Sequence, residues 1–485
     1  MSGVSMALRV AGWSMESVAI AMLPALFTDL AAGQEEWKAF GLCCLMVAFV
    51  GAAMILSVGS HGRDDGEDAE VRAVILSVIL STIGIIWAAS LPFAFGEADC
   101  SIVDAVFEAV AGVTTSGGTI FFRLSDLPPG LLLWRGLLQW LGGAWALMLG
   151  IAILPFLQVG GMAFFRSDAF AGLAYTRRAK KQGLLLVGLY VGLSFLLMLL
   201  LWMAGMSSLD AVIHAMGIVS TGGASSWNTS LGHYNRVAID IIVLFGMIIS
   251  GLPFPLVLAA VRGNIRALFE DAQVRWYLGV MLTGSIILGW WGMRHWGWSM
   301  GAALRDDSIA VVSAVTGSGY TTQASLIWTG FPAVILLFLA TLGGCAGSTS
   351  GGLKIFRFQA VLSEIWVQMG ALIRPHAIRT AKVDGRVLYR ATRNQIMGWV
   401  FIYTASFAAL SWGLGALGLD ALTSISAAIS ALANAQLSLG AFFSHSGGYA
   451  SMPDGAKVLL SIGMVLGRLE ILPALVLFTS TFWRR

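Results

Sequence analysis

The stretch FEAVAGVTTSGGT (Phe107–Thr119) runs a short apolar helix into a turn of hydroxyl residues and glycine. The pattern returns as HAMGIVSTGGASS (His214–Ser226) and more loosely as IAVVSAVTGSGYTT (Ile309–Thr322). A degenerate copy is SAAISALANAQLSLG (Ser426–Gly440). Each copy is too short to cross a bilayer and lies between two long apolar runs. Irregular backbone at membrane depth is tolerated only where protein or a water-filled cavity satisfies it. Four such turns therefore point to one shared axis.

Composition places the chain in a membrane. Of its 485 residues 57% are hydrophobic and 11% charged, whereas a soluble domain carries about a quarter charged residues. The opening MSGVSMALRV lacks a basic segment followed by a small-residue cleavage site, so the first apolar run is expected to stay as a span. A net charge of +3 gives no reason to expect a nucleic-acid partner. Cys43, Cys44, Cys100 and Cys345 have no metal-ligand spacing and read as small apolar residues. No GxxxxGK[ST] phosphate loop is present, so no organic cofactor is expected on this chain.

About 20 mostly apolar residues cross a bilayer as a helix. The expected spans are Val10–Leu30, Ala39–Val58, Val74–Phe95, Leu131–Phe156, Leu184–Ala204, Val237–Val261, Leu278–Trp298, Phe331–Gly370 (interrupted), Trp399–Leu419 and Val458–Phe482. Basic residues cluster after even-numbered spans, among them Arg63, Arg166, Lys181, Arg262, Arg374 and Arg393, which puts both termini in the cytoplasm. The expected fold is an all-α polytopic membrane protein of about ten transmembrane helices and four re-entrant pore helices. The pore helices are Ser101–Val113, Leu209–Val219, Ser308–Val315 and Leu422–Ala433. Two leading spans occupy 1–70, and four parallel units follow at 71–180, 181–275, 276–395 and 396–485.

Carbonyl oxygens of four turns facing one axis can replace the water around a cation. Glycine permits the positive φ angles that turn successive carbonyls inward, and helix C-termini favour a cation. The turns assigned to this role are Thr114, Thr115, Ser116 and Gly117; Val219, Ser220, Thr221 and Gly222; Thr316, Gly317, Ser318 and Gly319; and Asn434, Ala435 and Gln436. The equivalent ligands to a potassium ion are expected at Thr115, Thr221, Ser318 and Asn434. Glu108 and Asp210 either add negative potential at the outer mouth or are satisfied helix-end carboxylates.

Within the eighth span, LATLGGCAGSTSGGLKIFRF (Leu339–Phe358) cannot stay a plain helix, because each glycine costs about 1 kcal/mol relative to alanine. Gly343, Gly344, Gly347, Ser348, Thr349, Ser350, Gly351 and Gly352 are read as a gate below the turns, with a tight helix-packing site as the alternative. The Ser348, Thr349 and Ser350 hydroxyls are available to the freed backbone. Arg468 and Lys354 are buried cations that either face the path below the turns or sit in ion pairs, Asp240 and Glu470 being the candidate acids for Arg468. Glu470 is a poor partner for Arg468, being two residues away on another helix face.

These segments resemble the Trk-type potassium uptake proteins, in a superfamily that includes the Ktr membrane subunits. The resemblance rests on FEAVAGVTTSGGT (107–119), LLLWRGLLQWLGGAWALMLGIAILPFLQVGGM (131–162), VSTGGASS (219–226), GGCAGSTSGGLKIFR (343–357) and LGRLEILPALVLFTSTFWRR (466–485). It implies a homodimeric potassium translocator of the bacterial inner membrane, gated by a cytoplasmic ring of NAD- or ATP-binding regulatory subunits. It implies that Gly343–Gly352 is the intramembrane gate, that Arg468 faces the pore, and that the filter glycines are Gly117, Gly222 and Gly319. The fourth turn departs from the family's Asn-x-Gly-Pro-Gly pattern by placing Gln436 at the filter glycine, which leaves a low-selectivity monovalent-cation channel or a non-transporting scaffold or sensor as alternatives.

A rival from another class is an intramembrane serine hydrolase with Ser348 or Ser350 as nucleophile and a buried histidine as base. The basic segment Glu364–Arg393 suits either an acidic regulatory surface or anionic lipid headgroups.

Overall fold

The computed structural model describes residues 2–58, 67–96, 100–153, 160–161, 177–322, 328, 330–376, 379–437 and 448–483. Arg63, Arg166 and the 438–440 end of the fourth repeat lie outside the described residues. Helices Ser2–Ala32 and Trp37–Leu56 lead the chain and pack on each other. Four units follow, each of a helix, a short helix and a return helix. They are Glu67–Phe95, Ile102–Val113 and Pro129–Met148; Arg177–Met203, Ser208–Val219 and Val237–Ser250; Ala272–His295, Met300–Thr316 and Phe331–Leu342; and Arg390–Ala416, Ala421–Ala433 and Asp454–Arg468.

The short helices start alike. Side-chain oxygens of Ser101, Ser207, Ser299 and Asp420 accept from the amides of Asp104, Asp210, Ala302 and Thr423 respectively. Such a cap satisfies one of the amides that every helix start leaves free. The third short helix begins at Met300 rather than at the expected Ser308, because Ser299 supplies the cap and the charged run Arg305–Asp307 inside the helix interrupts its apolar pattern.

Units pack head to tail. The return helix Pro129–Met148 lies against the short helix Ser208–Val219, Val237–Ser250 against Met300–Thr316, and Phe331–Leu342 against Ala421–Ala433. Asp454–Arg468 then packs on Ile102–Val113 of the first unit. The four units form a closed ring, and its last joint is reinforced by the Phe107 and Tyr449 rings, 5.2 Å apart.

Three of the four return helices break, not only the eighth span, and the first changes its winding. Pro129–Met148 passes into a π-helical turn at Leu149–Ile153. Val237–Ser250 bends by 110° into Phe254–Val261. Phe331–Leu342 ends at Gly343, and Asp454–Arg468 ends before Leu472–Val476. The expected spans Val237–Val261 and Val458–Phe482 are therefore not continuous helices, whereas Leu131–Phe156 is helical through Ile153. Pro253 lacks an amide donor and disfavours helix in the residue before it. Glu470 and Ile471 take φ of 64° and 56°, which no helix accommodates. Around Pro253 and around Glu470 long apolar runs lie on both sides, so overall composition conceals these two breaks.

Among the described residues, five helices are long and apolar enough to cross a membrane, and the bent pair makes a sixth candidate. Their outer faces are apolar, with Leu45 and Phe49 72% and 76% exposed, as a lipid-facing surface requires. The segment after Ile355–Ile373 folds into a small hairpin, Lys382–Val383 against Arg386–Val387. Asp384 and Gly385 close it with φ of 51° and 73°, both left-handed as a type I′ turn requires.

Candidate ion-conduction site

The four turns follow the C-termini of the four short helices. Their register is read from backbone hydrogen bonds. Thr115 N donates to Gly112 O, Thr221 N to Ile218 O, Gly317 N to Ala314 O and Asn434 N to Ala431 O. These four residues are all left-handed, with φ of 57°, 54°, 79° and 49°. Two residues on, Gly117, Gly223 and Gly319 are left-handed again at 70°, 69° and 70°. Gln436 holds the equivalent place and is not left-handed.

The register corrects two expectations. Gly223, not Gly222, is the counterpart of Gly117, because Gly222 N and Gly223 N bond to Gly217 O as Ser116 N and Gly117 N bond to Ala111 O. Gly317, not Ser318, is the counterpart of Thr115, Thr221 and Asn434. Both errors have one cause: adjacent small residues look interchangeable in sequence, whereas backbone handedness separates them.

The turns meet. A Cβ on Gly117 would stand 2.7 Å from the Gly222 carbonyl oxygen and 2.5 Å from Gln436 Oε1. One on Gly223 would overlap the Ser318 carbonyl oxygen, and one on Gly319 would overlap Gln436 Cβ. Gln436 N donates to Gly317 O at 3.2 Å. Adjacent turns thus touch all the way round, with no room for side chains at the three glycines. Thr115 Oγ1, Asn434 Oδ1 and Gln436 Oε1 are buried acceptors without hydrogen-bond partners.

Two cavities flank the ring. One of about 180 Å³ is lined by Gly117, Gly223, Gly319, Gln139, Arg135 and Gln436, among others. The other, of about 20 Å³, is lined by Thr349, Gly351, Lys354, Asn434 and Arg468, among others. A closed ring of backbone turns between two polar cavities is what a conducting membrane protein needs. The family model of TrkH, described as a cation transport protein, matches residues 46–484.

The chain belongs to the TrkH family.

It is similar to the Trk system potassium uptake protein TrkI of Halomonas elongata, with 36% identity over 96% of this chain and 94% of the relative. TrkH of Salmonella typhimurium is 33% identical over 88% of this chain and 90% of its own length. The crystal structure of the potassium transporter TrkH from Vibrio parahaemolyticus matches with a TM-score of 0.91 and 29% identity, covering 99% of this chain and 100% of that one. These relatives are transporters, and the hydrolase reading falls with them. In this TrkH-family chain Ser350 Oγ donates to Thr316 O and accepts from Gly344 N, while Ser348 Oγ donates to Cys345 O.

Gly343–Gly352 packs directly beneath the ring. Thr349 Oγ1 donates to Val219 O at 3.0 Å and Ser350 Oγ to Thr316 O at 2.8 Å, so two short-helix C-termini receive hydroxyls from this loop. A Cβ on Gly351 would overlap the Ala433 carbonyl oxygen at the end of a third. The three hydroxyls satisfy backbone oxygens, as their composition suggested.

Arg468 is the last residue of its helix and lines the lower cavity. Its Nη1 donates to Thr349 O at 3.1 Å, and its Nη2 reaches Gly142 O at 3.5 Å. For Arg468 the ion-pair alternative is not realised, since Asp240 pairs with Arg305 and Glu470 with Arg357 at 2.5 Å; for Lys354 it is, with Glu470 at 3.9 Å. Arg357 also lies 3.7 Å from the Trp399 ring centroid, and Trp399 Nε1 donates to Glu470 O. Sequence reading missed this cluster, although Arg357 and Glu470 both stood out as charges in apolar segments.

The acids expected at the outer mouth are satisfied. Glu108 accepts from Arg135 at 2.6 Å and from Ile120 N. Asp210 accepts from Ser226 Oγ at 2.5 Å. Gln139 is a further residue that sequence reading passed over. Its Oε1 is buried and unpaired, and a Cβ on Gly222 would stand 2.6 Å from it.

Proposed function

We propose that this TrkH-family protein carries potassium into the cell along the axis of the four turns. The ring of left-handed residues at Thr115, Thr221, Gly317 and Asn434, set between two cavities, carries this reading. Alternating handedness turns successive carbonyls to one side, where they replace an ion's hydration shell. The C-terminal ends of four short helices add negative potential. The inside-negative membrane potential drives influx by about 2.3 kcal/mol per charge per 100 mV, whether transport is passive or ion-coupled.

In this reading the chain has ten passes, four re-entrant helices and both termini in the cytoplasm of the bacterial inner membrane. Gly343–Gly352 is the gate, with Arg468 holding it through Thr349. A homodimer works with a cytoplasmic NAD- or ATP-binding regulatory subunit, and the exposed basic residues around the 382–387 hairpin offer it a surface. Arg393 contributes less than its charge suggests, because it pairs with Glu364 at 3.3 Å. A second reading, a low-selectivity channel for potassium and sodium, is favoured by Gln436 at a position that is glycine in the other three turns.

The test is growth rescue of a potassium-uptake-deficient bacterium at low external potassium, with rubidium and sodium fluxes measured in parallel. Rescue with rubidium flux far above sodium supports potassium uptake. Comparable fluxes support the second reading, and no rescue with no flux overturns both.

A further inference from the structure

The fourth turn differs from the others in what occupies the axis. At Gly117, Gly223 and Gly319 a side chain is excluded, because its first carbon would meet a neighbouring turn or Gln436 itself. At the fourth equivalent position the side chain is present. Its Cβ lies against Gly319, while its Oε1 lies 2.5 Å from where a Gly117 Cβ would be and 2.6 Å from where a Gly223 Cβ would be. The Gln436 side chain therefore starts in the fourth turn, passes the third and ends between the first and second. It crosses the axis of the ring.

Backbone and side chain point to the same exchange of roles. Gln436 is not left-handed, and its amide is docked on Gly317 O, so this turn does not repeat the main-chain arrangement of the other three. Its Oε1 is buried without a partner. An unpaired buried acceptor is costly, and a dehydrating monovalent cation on the axis would supply what it lacks. Gln436 lines the outer cavity and not the lower one, whereas Asn434 lines the lower one. The carboxamide thus stands at the outer end of the ring, beside the larger cavity.

We infer that Gln436 is a side-chain gate and ligand at the outer end of the conduction path, its carboxamide closing the axis at rest and its Oε1 binding each monovalent cation that passes. This rests on the proposed conduction along the four turns. It adds that the outer barrier is one side chain, separate from the loop Gly343–Gly352 below.

The experiment compares rubidium and sodium uptake by vesicles containing purified wild-type chain, Gln436→Ala and Gln436→Leu. Leucine fills similar space without an oxygen. Removing the plug in Gln436→Ala should raise uptake severalfold and change the rubidium-to-sodium ratio. Gln436→Leu should lower uptake roughly tenfold or more, the scale of one lost charge-assisted contact. Thermal unfolding with and without potassium chloride provides a readout independent of flux, since a bound ion raises the midpoint. The potassium-dependent rise should shrink in Gln436→Leu while the midpoint without potassium stays near wild type. Wild-type-like uptake, ratio and potassium response in both variants would overturn the side-chain role and leave potassium uptake standing. Absence of uptake and of any potassium response in all three chains would sink the conduction reading itself, and this inference with it.

Discussion

Arg468 Nη1 donates to the Thr349 carbonyl oxygen at 3.1 Å, joining the last helix of the fourth unit to the loop of the third. The same Thr349 donates its hydroxyl to Val219 O at the end of the second short helix. One buried cation is thereby fixed beneath the ring, in the cavity that also holds Asn434.

A fixed positive charge there opposes a passing cation. At about 5 Å the repulsion is about 3 kcal/mol for an effective dielectric of about 20. Arg468→Gln should raise rubidium uptake roughly tenfold or more, and Arg468→Lys, which keeps the charge, should stay near wild type. Equal uptake in both variants would show that hydrogen bonding to Thr349, rather than charge, is what Arg468 contributes.

Glu470 holds Arg357 and Lys354 at the break in the last return helix. Removing its charge leaves two buried cations without their acid, at a cost of about 3–5 kcal/mol for a broken buried pair. Glu470→Gln should lower the midpoint of thermal unfolding in detergent. The double variant Glu470→Gln with Lys354→Met should recover part of the loss, because the two sites share one interaction. Additive losses would contradict the coupling.

Neighbouring glycines in the second turn should behave differently. Gly223→Ala forces a left-handed alanine whose Cβ overlaps the Ser318 carbonyl oxygen, so uptake should be lost. Gly222→Ala meets a side chain, Gln139, whose far end can move. Combining Gly222→Ala with Gln139→Ala should return uptake to within a fewfold of Gln139→Ala alone. The reverse ranking would restore Gly222 as the counterpart of Gly117.

Alanine in the loop Gly343–Gly352 checks its proposed role as a gate. A Cβ on Gly351 would overlap a main-chain oxygen of Ala433, and Gly352 has φ of 81°. Replacing both with alanine should displace the loop from the ring and change rubidium uptake strongly in one direction. Gly279→Ala is the control, since nothing lies within 4 Å of that position. Unchanged uptake in the double variant would remove the gate role.

Much of the architecture was legible because membrane insertion depends on local quantities. Apolar length marked the long helices, and short apolar runs ending in hydroxyls and glycine marked the four short helices to within a few residues at most ends. Met300 was missed because the charged run Arg305 to Asp307 interrupts the apolar periodicity of the helix. The breaks at Gly251–Pro253 and Leu469–Ile471 were missed because the apolar runs on both sides of each are long enough together to read as one span. The register of the second turn was missed because Gly222 and Gly223 carry the same side chain and differ only in φ.

The sequence by itself determined that this chain is a membrane protein built of four related units, since hydrophobicity and repetition are properties of residues in order. It also singled out Gln436 as the odd residue among four turns. Only the tertiary structure decided that the units close into a ring, that Glu108 and Asp210 are already satisfied, and that Arg468 meets Thr349 rather than an acid. Those outcomes depend on which groups from distant segments arrive within hydrogen-bonding reach. A buried polar atom takes the nearest partner in space, and separation along the chain has no part in that choice.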